Sequence, residues 1–428
     1  APGMTAADVY HERFYPHGRF AWGAQLRWAF QIARDQAQRA GDRAGAAEAG
    51  RLMRDPGPLL RQVPLTVRHP LLEQYCPFFY EWIERPEYDE YWEARNWIPK
   101  LARSRVPSFH IGGWYDTFLG GTLQSFAAMA EARRPDRFHR LMIGPWPHIP
   151  WGRTTGGVDH GTRAGGDVHR EQLRWFDYWL KDRRDADLAA EPAVVYFEFG
   201  SMRWRTADRL PAPGAGASGR VFYLGNDGRP ANGVLGGGRL SAEPETKPDP
   251  IPDVFVCDAR LPMECEAYAP VDRSGVQDRN EVLVYASDPL AEPLHVFGAP
   301  EVVVRAQALD GPTDLVAILS IADGSGKARF LSVGRAEVRA GGGEWEDVVI
   351  PMRPFAARFP PGSSLRLELT GSAFPLFARH PNGVASAEIP FADTLRIAAV
   401  AVLHSAGRAS RIELPAVPVP ADEEGGAS

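Results

Sequence analysis

Two six-residue stretches hold the side chains best placed to do chemistry. One is Ile111-Gly112-Gly113-Trp114-Tyr115-Asp116, and the other is Ile143-Gly144-Pro145-Trp146-Pro147-His148. Each continues a short apolar run and ends on a titratable residue. In an open parallel sheet, consecutive strands joined by a helix run the same way, so both turns emerge at the carboxyl edge, where ligands bind. Asp116 and His148 are therefore expected to meet. Such a pair supports general base catalysis: the imidazole accepts a hydroxyl proton at one ring nitrogen, while the carboxylate holds the other and stabilises the imidazolium that forms. Singly, a strand-end Asp reads as a helix cap or turn former and a lone His as a satisfied polar residue. The two together, in this order with a helix between them, point to catalysis.

Acid then base in the last two loops of this kind is the chain order of a Ser-Asp-His triad on an α/β sheet. The nucleophile of such a triad needs a strained strand-to-helix turn framed by small residues, Gly-x-Ser-x-Gly or a close variant, and none is present. Gly324-Ser325-Gly326, Gly362-Ser363-Ser364 and Gly371-Ser372 follow the acid and base, lie in a strand-rich region and read as turns. The 11 histidines form no H-x-x-x-H or H-x-H cluster, and His139, His148, His160 and His169 are too widely spaced for a ligand set, so no metal is expected. No phosphate-binding or dinucleotide fingerprint opens a helix, and no cofactor is expected. Glu81, Glu84, Glu87, Asp89 and Glu90 read as a solvated acidic face rather than paired catalytic acids.

Three stretches of different rhythm must position these residues. Residues 1–100 read as helical: Leu26, Phe30, Ala33 and Ala37 recur at helical spacing, with Arg27, Arg34, Asp35 and Gln38 on the other faces. The aromatic segment Cys76 to Trp97 is broken by Pro77 and Pro86 into short helices and turns, as in a lid or cap. Residues 101–216 alternate strand and helix. Val106 to Ile111, Arg140 to Ile143 and Ala193 to Phe199 read as strands, and Gly120 to Ala132 and Val168 to Leu180 as helices, which predicts a helix-covered parallel sheet. Residues 217–420 are all strand, with Leu365, Leu367 and Leu369 alternating against Arg366, Glu368 and Thr370 in a half-buried strand. Val282 to Tyr285, Val302 to Ala306, Leu315 to Ile321 and Leu395 to Val402 add further runs, and this density predicts a β-sandwich or jelly roll. Residues 211–219 and 243–252 read as linkers and 421–428 as a disordered tail.

Composition excludes several function classes. The chain has 428 residues, enough for two or three domains, with 43 glycines and 38 prolines, an excess that favours many turns. A net charge of −6, from 48 basic and 54 acidic side chains, does not suggest a nucleic-acid partner. The longest apolar run, Ile397 to Leu403, falls far short of the roughly 20 residues that span a bilayer. Cys76, Cys257 and Cys265 form no CxxC pair or disulfide framework, which fits reduced thiols and a cytoplasmic location.

As a set, GGWYDTFLGGTLQSFAAM (112–129), LMIGPWPH (141–148), HREQLRWFDYWLKD (169–182) and VVYFEFGSMRWR (194–205) resemble the CocE/NonD hydrolases, the cocaine esterase and X-Pro dipeptidyl-peptidase family. DRNEVLVYASDPLAEPLHVFG (278–298), TDLVAILSIADGSGKARFLSVGRAEVR (313–339) and TGSAFPLFARHPN (370–382) are similar to its C-terminal jelly roll. The resemblance implies a serine acyl hydrolase with an α/β-hydrolase core, a helical cap and a jelly roll. Asp116 matches the triad acid, His148 the triad base, Phe118 a side chain packing on the substrate acyl group, and Trp28 a cap residue walling the acyl pocket. The family's serine nucleophile and oxyanion-hole tyrosine lie upstream of the segment that APGMTAADVY resembles. Both are thus expected to precede Ala1, leaving the core partial and the chain alone inactive. Relatives that hydrolyse α-amino acid esters carry extra carboxylates just after the acid, whereas Thr117, Phe118 and Leu119 follow Asp116 here. The expected substrate is an aromatic or aliphatic acyl ester, with an X-Pro peptide as the alternative. A third reading is a non-catalytic binding protein built on a degenerate hydrolase.

Overall fold

The computed structural model describes residues 6–131, 138–181, 186–211, 219–245, 251–339, 344–404 and 409–418. The expected tail at 421–428 and most of the expected linkers at 211–219 and 243–252 lie outside the described residues.

Helices dominate the stretch up to Leu101. A π-helical turn (Tyr10–Phe14) leads to an 18-residue helix (Trp22–Arg39) that buries Leu26, Ala29, Phe30, Ala33 and Ala37, the face its apolar spacing marks. The next helix (Arg43–Arg54) is capped by Asp42, whose carboxylate accepts from the Gly45 N–H at 2.8 Å. Shorter helices follow (Gly57–Leu60, Pro70–Tyr75, Phe78–Ile83, Glu90–Glu93 and Ile98–Leu101), because proline recurs too often for longer ones. Aromatic rings fill the space between them: Tyr10 stacks on Tyr15 at 4.8 Å, and Phe14 lies 4.2 Å from Trp82. Glu81, Glu84, Glu87 and Glu90 are exposed, as a solvated face requires.

The central sheet has the order Phe109–Gly113, Arg140–Gly144, Val194–Glu198, Arg203–Ala207. The first three strands are parallel, separated in sequence by the helices Leu119–Glu131 and Val168–Leu180. Every residue of the first two strands is buried, the pattern of parallel strands covered on both faces. The fourth strand turns back antiparallel on the third, an element the alternating pattern did not predict.

From Arg220 onward strands prevail, eleven of them in one long mixed sheet and three (Leu294–Gly298, Phe355–Phe359, Ala416–Val417) in a smaller one. The longest hairpin joins Thr313–Ala322 to Ala328–Val338, and its turn is held by the Asp323 carboxylate, which accepts from the Ser325 N–H and hydroxyl. Ser325 is thus a turn former. The Ser364–Thr370 strand is not half-exposed as its alternation suggested: Glu368 and Thr370 are as buried as the leucines. Arg273 pairs with Glu368 through Nη2 at 2.7 Å and Nε at 2.8 Å, and Gln277 donates to it at 2.8 Å, so this face is covered by polar partners instead of water.

Several seams join this region to the rest. Arg19, from the helical part, donates to Asp314 at 2.7 Å, and Arg335 pairs with the same carboxylate. Burial pushes the Asp314 pKa upward, but the two guanidinium groups outweigh it and hold it well below the usual value. At the sheet, Phe199 exchanges backbone hydrogen bonds with Ala356 (3.0 Å) and Arg358 (2.7 Å), and buried Glu198 meets His295 at 2.7 Å. A further seam involves Arg353, at the loops described next.

Candidate active site

Both strand ends are fixed by hydrogen bonds that continue the parallel ladder past the sheet. The Trp114 N–H donates to the Gly144 carbonyl at 2.9 Å and the Tyr115 N–H to the Trp146 carbonyl at 3.1 Å. Buried Trp114 and Trp146 anchor the loops through their indole N–H groups, to the Phe197 carbonyl at 2.7 Å and the Ala164 carbonyl at 2.8 Å. Glycine is needed where the loops touch. A Cβ on Gly113 would stand 2.9 Å from the Trp146 carbonyl carbon, and one on Gly144 would overlap the Trp146 ring.

The result brings Asp116 and His148 together. His148 Nδ1 lies 3.3 Å from Oδ1 and 3.4 Å from Oδ2 of Asp116. Asp116 is fully buried, in a turn where its N–H donates to the Gly113 carbonyl and its Oδ1 accepts from the Phe118 N–H at 3.0 Å. The His148 side chain is 48% exposed, open to a reactant. The hydrogen bond to Asp116 raises the His148 pKa above the ordinary imidazole value, while partial burial and the Arg13 charge pull it the other way.

The two other residues singled out in the sequence are at the same place. A cavity of about 440 Å³ opens beside His148, with Thr117 and Phe118 on one side and Arg13, Gln25 and Trp28 of the helical part on the other. The Phe118 ring and the imidazole meet edge to face, ring centroids 5.0 Å apart at 70°. Trp28 packs on Trp82 at 5.7 Å, which fixes its indole as a wall. Asp116, His148, Phe118 and Trp28 therefore form one constellation.

Sequence reasoning missed three residues here. Arg13 reaches the cavity from the π-helical turn, and its guanidinium stacks 4.5 Å from the Trp28 ring and 5.5 Å from that of Phe118. Gln25 is buried on the same wall, with its Nε2 donating to the Arg13 carbonyl at 3.2 Å. Arg353 comes from the strand-rich region: its Nη2 donates to the Asp116 carbonyl oxygen, and its guanidinium lies 3.8 Å over the Tyr268 ring. The only signals for Arg13 were its aromatic neighbours in RFYPHGRF; nothing local marks Arg353.

Comparison with known proteins identifies the family. Residues 1–150 match the family model of the X-Pro dipeptidyl-peptidases (S15 family), and residues 178–413 that of the X-Pro dipeptidyl-peptidase C-terminal non-catalytic domain. Cocaine esterase from Rhodococcus sp. (strain MB1 Bresler) is 28% identical over 415 residues, which cover 89% of this chain and 70% of that protein. An aminopeptidase from a marine sediment Thaumarchaeota archaeon superposes with a TM-score of 0.76 at 20% identity, over 97% of this chain and 72% of that one. An α-amino acid ester hydrolase does so with a TM-score of 0.75 at 21% identity, over the same shares, 97% and 72%. With both stretches of the chain matched and these relatives sharing its fold, the chain belongs to the CocE/NonD hydrolase family, which includes cocaine esterase and the X-Pro dipeptidyl-peptidases.

Proposed function

We propose that the protein is a serine acyl hydrolase that cleaves carboxylic esters or amides through an acyl-enzyme, its serine supplied by a segment upstream of Ala1. The observation that carries this reading is the Asp116–His148 pair at a cavity walled by Trp28 and Phe118. In this reading the helices form the cap of an α/β-hydrolase core, and the strand-rich region is its jelly roll. His148 accepts the serine proton as the hydroxyl oxygen attacks the acyl carbon, then returns it to the leaving alcohol or amine. Asp116 holds Nδ1 and stabilises the imidazolium, and a water activated by the same histidine releases the acid. The separation of 3.3 Å suits a resting pair that tightens when substrate binds. The family resemblance is what places the nucleophile upstream in this reading.

The S15 match favours a second reading, release of X-Pro dipeptides. That reaction needs an anionic partner for the substrate ammonium group, and the permanently charged side chain lining this cavity is cationic Arg13, so the ester reading is preferred. Fluorophosphonate labelling of the native protein, with mapping of the labelled peptide, tests the proposal. The expected result is one labelled serine in a polypeptide continuous with Ala1, with labelling lost in His148→Ala. A folded, unlabelled protein overturns it in favour of a non-catalytic binding role. Turnover of 4-nitrophenyl butyrate against that of Ala-Pro-4-nitroanilide separates esterase from dipeptidyl-peptidase.

A further inference from the structure

The buried arginines outside the cavity have carboxylate or carbonyl partners, Arg353 donating to the Asp116 carbonyl and Arg379 to those of Ala259 and Arg61. Arg19 and Arg335 share Asp314, Arg273 has Glu368, and Arg205 has Glu198 at 3.1 Å. Arg13 differs from them. Its guanidinium is wedged against Trp28 (4.5 Å), Phe14 (5.0 Å) and Phe118 (5.5 Å), and no carboxylate among the described residues pairs with it. Its Nε is buried without a hydrogen-bond partner. The neighbouring Glu12 does not serve, since it feels Arg353 as its chief cationic partner. A partly desolvated cation held by ring faces on the wall of a binding cavity gains from an anion that completes it.

The place of that anion follows from the packing. The Phe118 ring lies 5.5 Å from the guanidinium and 5.0 Å from the imidazole of His148, so a short molecule held at His148 reaches Arg13. On the same wall Gln25 Oε1 is buried without a partner, an acceptor for an N–H or O–H of the same ligand. The aromatic rings around Arg13 lessen the screening of its charge by water and fix the planar fork that a carboxylate matches.

We propose that the acyl part of the substrate carries a carboxylate, as in a monoester of a short dicarboxylic acid, and that Arg13 binds it. This rests on the hydrolase reading and goes beyond it by naming the charge of the acyl group. Arg13 then determines specificity, favouring acids that end in an anion and disfavouring those that carry an ammonium group.

The test compares kcat/KM for mono-4-nitrophenyl glutarate with that for 4-nitrophenyl butyrate in the intact protein. The native protein should prefer the glutarate ester. Arg13→Gln should lower the ratio of the two values by about 10- to 100-fold, mostly through KM for the anionic ester, and Arg13→Lys should restore part of it. A ratio unmoved by Arg13→Gln, with both esters turned over, overturns the assignment to Arg13 and leaves the hydrolase reading standing. Failure to turn over either ester overturns both. A second measurement needs no variant: glutarate should inhibit butyrate ester hydrolysis competitively and at least tenfold more tightly than its neutral diamide. Equal inhibition by the two would refute the anion site.

Discussion

Gly113→Ala adds a single methyl group at the point where the two loops of the candidate active site touch. The new Cβ would lie 2.9 Å from the Trp146 carbonyl carbon and closer still to its oxygen, whereas non-bonded atoms settle at about 3.5–4.0 Å. The His148 loop must therefore retreat by about 1 Å. That movement breaks the hydrogen bond from the Tyr115 N–H to the Trp146 carbonyl, now 3.1 Å. It also stretches the Asp116–His148 contact from 3.3 Å to beyond 4 Å by a ~1 Å shift, out of hydrogen-bond range. The lost backbone bond and the overpacking together cost about 2–4 kcal/mol, which a chain of this size survives. A misplacement of ~1 Å in the base lowers kcat by about 100-fold. The assay is kcat on an aryl ester at saturating substrate, paired with a thermal melt. Gly152→Ala is the control: its Cβ meets nothing within 4 Å, and both kcat and the melt should stay as they were. A folded Gly113→Ala protein with kcat within threefold of the native value would falsify the argument that the strand-end glycines set the geometry of the pair.

Other outcomes follow from the same contacts. Asp116→Asn removes the charge that raises the His148 pKa, so the acid limb of the kcat/KM profile should move to lower pH and kcat should fall by about 10³- to 10⁴-fold; an unmoved limb would separate Asp116 from the histidine. Arg353→Met takes a buried guanidinium from the Asp116 carbonyl oxygen; it should cost about 2–4 kcal/mol and shift the same acid limb, which a loss of packing alone would not do. Buried His110, His160 and His380 are held neutral by desolvation, with pKa values lowered from 6.5 to about 3, 4 and 3. The unfolded chain binds more protons below its own histidine pKa. Stability is therefore complete above about pH 6.5 and drops as the pH falls towards 4, and a melting temperature that stays flat from pH 7 to 5 would refute this.

The parts of the fold legible in the sequence are those whose determinants are local. The helix read at Val168 to Leu180 has those bounds, and the one read at Gly120 to Ala132 runs Leu119–Glu131, because apolar periodicity and the flanking turns decide both. The meeting of Asp116 with His148 was legible too, since parallel strands joined by a helix present their carboxyl ends on one edge. What stayed hidden depends on distant partners. RWRTA carries too little apolar alternation to announce the strand Arg203–Ala207, which exists because Val194–Glu198 offers it an edge. Glu368 looked solvent-facing because Arg273, 95 residues away, is what allows its burial. Arg13 was not legible because its place depends on a π-helical turn and on rings contributed by Trp28 and Phe118.

The bond from Arg353 to the Asp116 carbonyl changes how the strand-rich region should be regarded as an inherited unit. The family model that spans it describes a non-catalytic domain, yet one of its side chains grips the backbone of Asp116, the proposed partner of His148. A chimera that exchanges this region between relatives thus exchanges part of the support of Asp116 as well. Recombination that keeps the Asp116 turn and its arginine from one parent preserves the setting of the histidine, whereas a junction that divides them leaves a buried carbonyl oxygen and a buried cation each to find a new partner. The boundary for shuffling these proteins runs around that pair, not along the linker between the sheets.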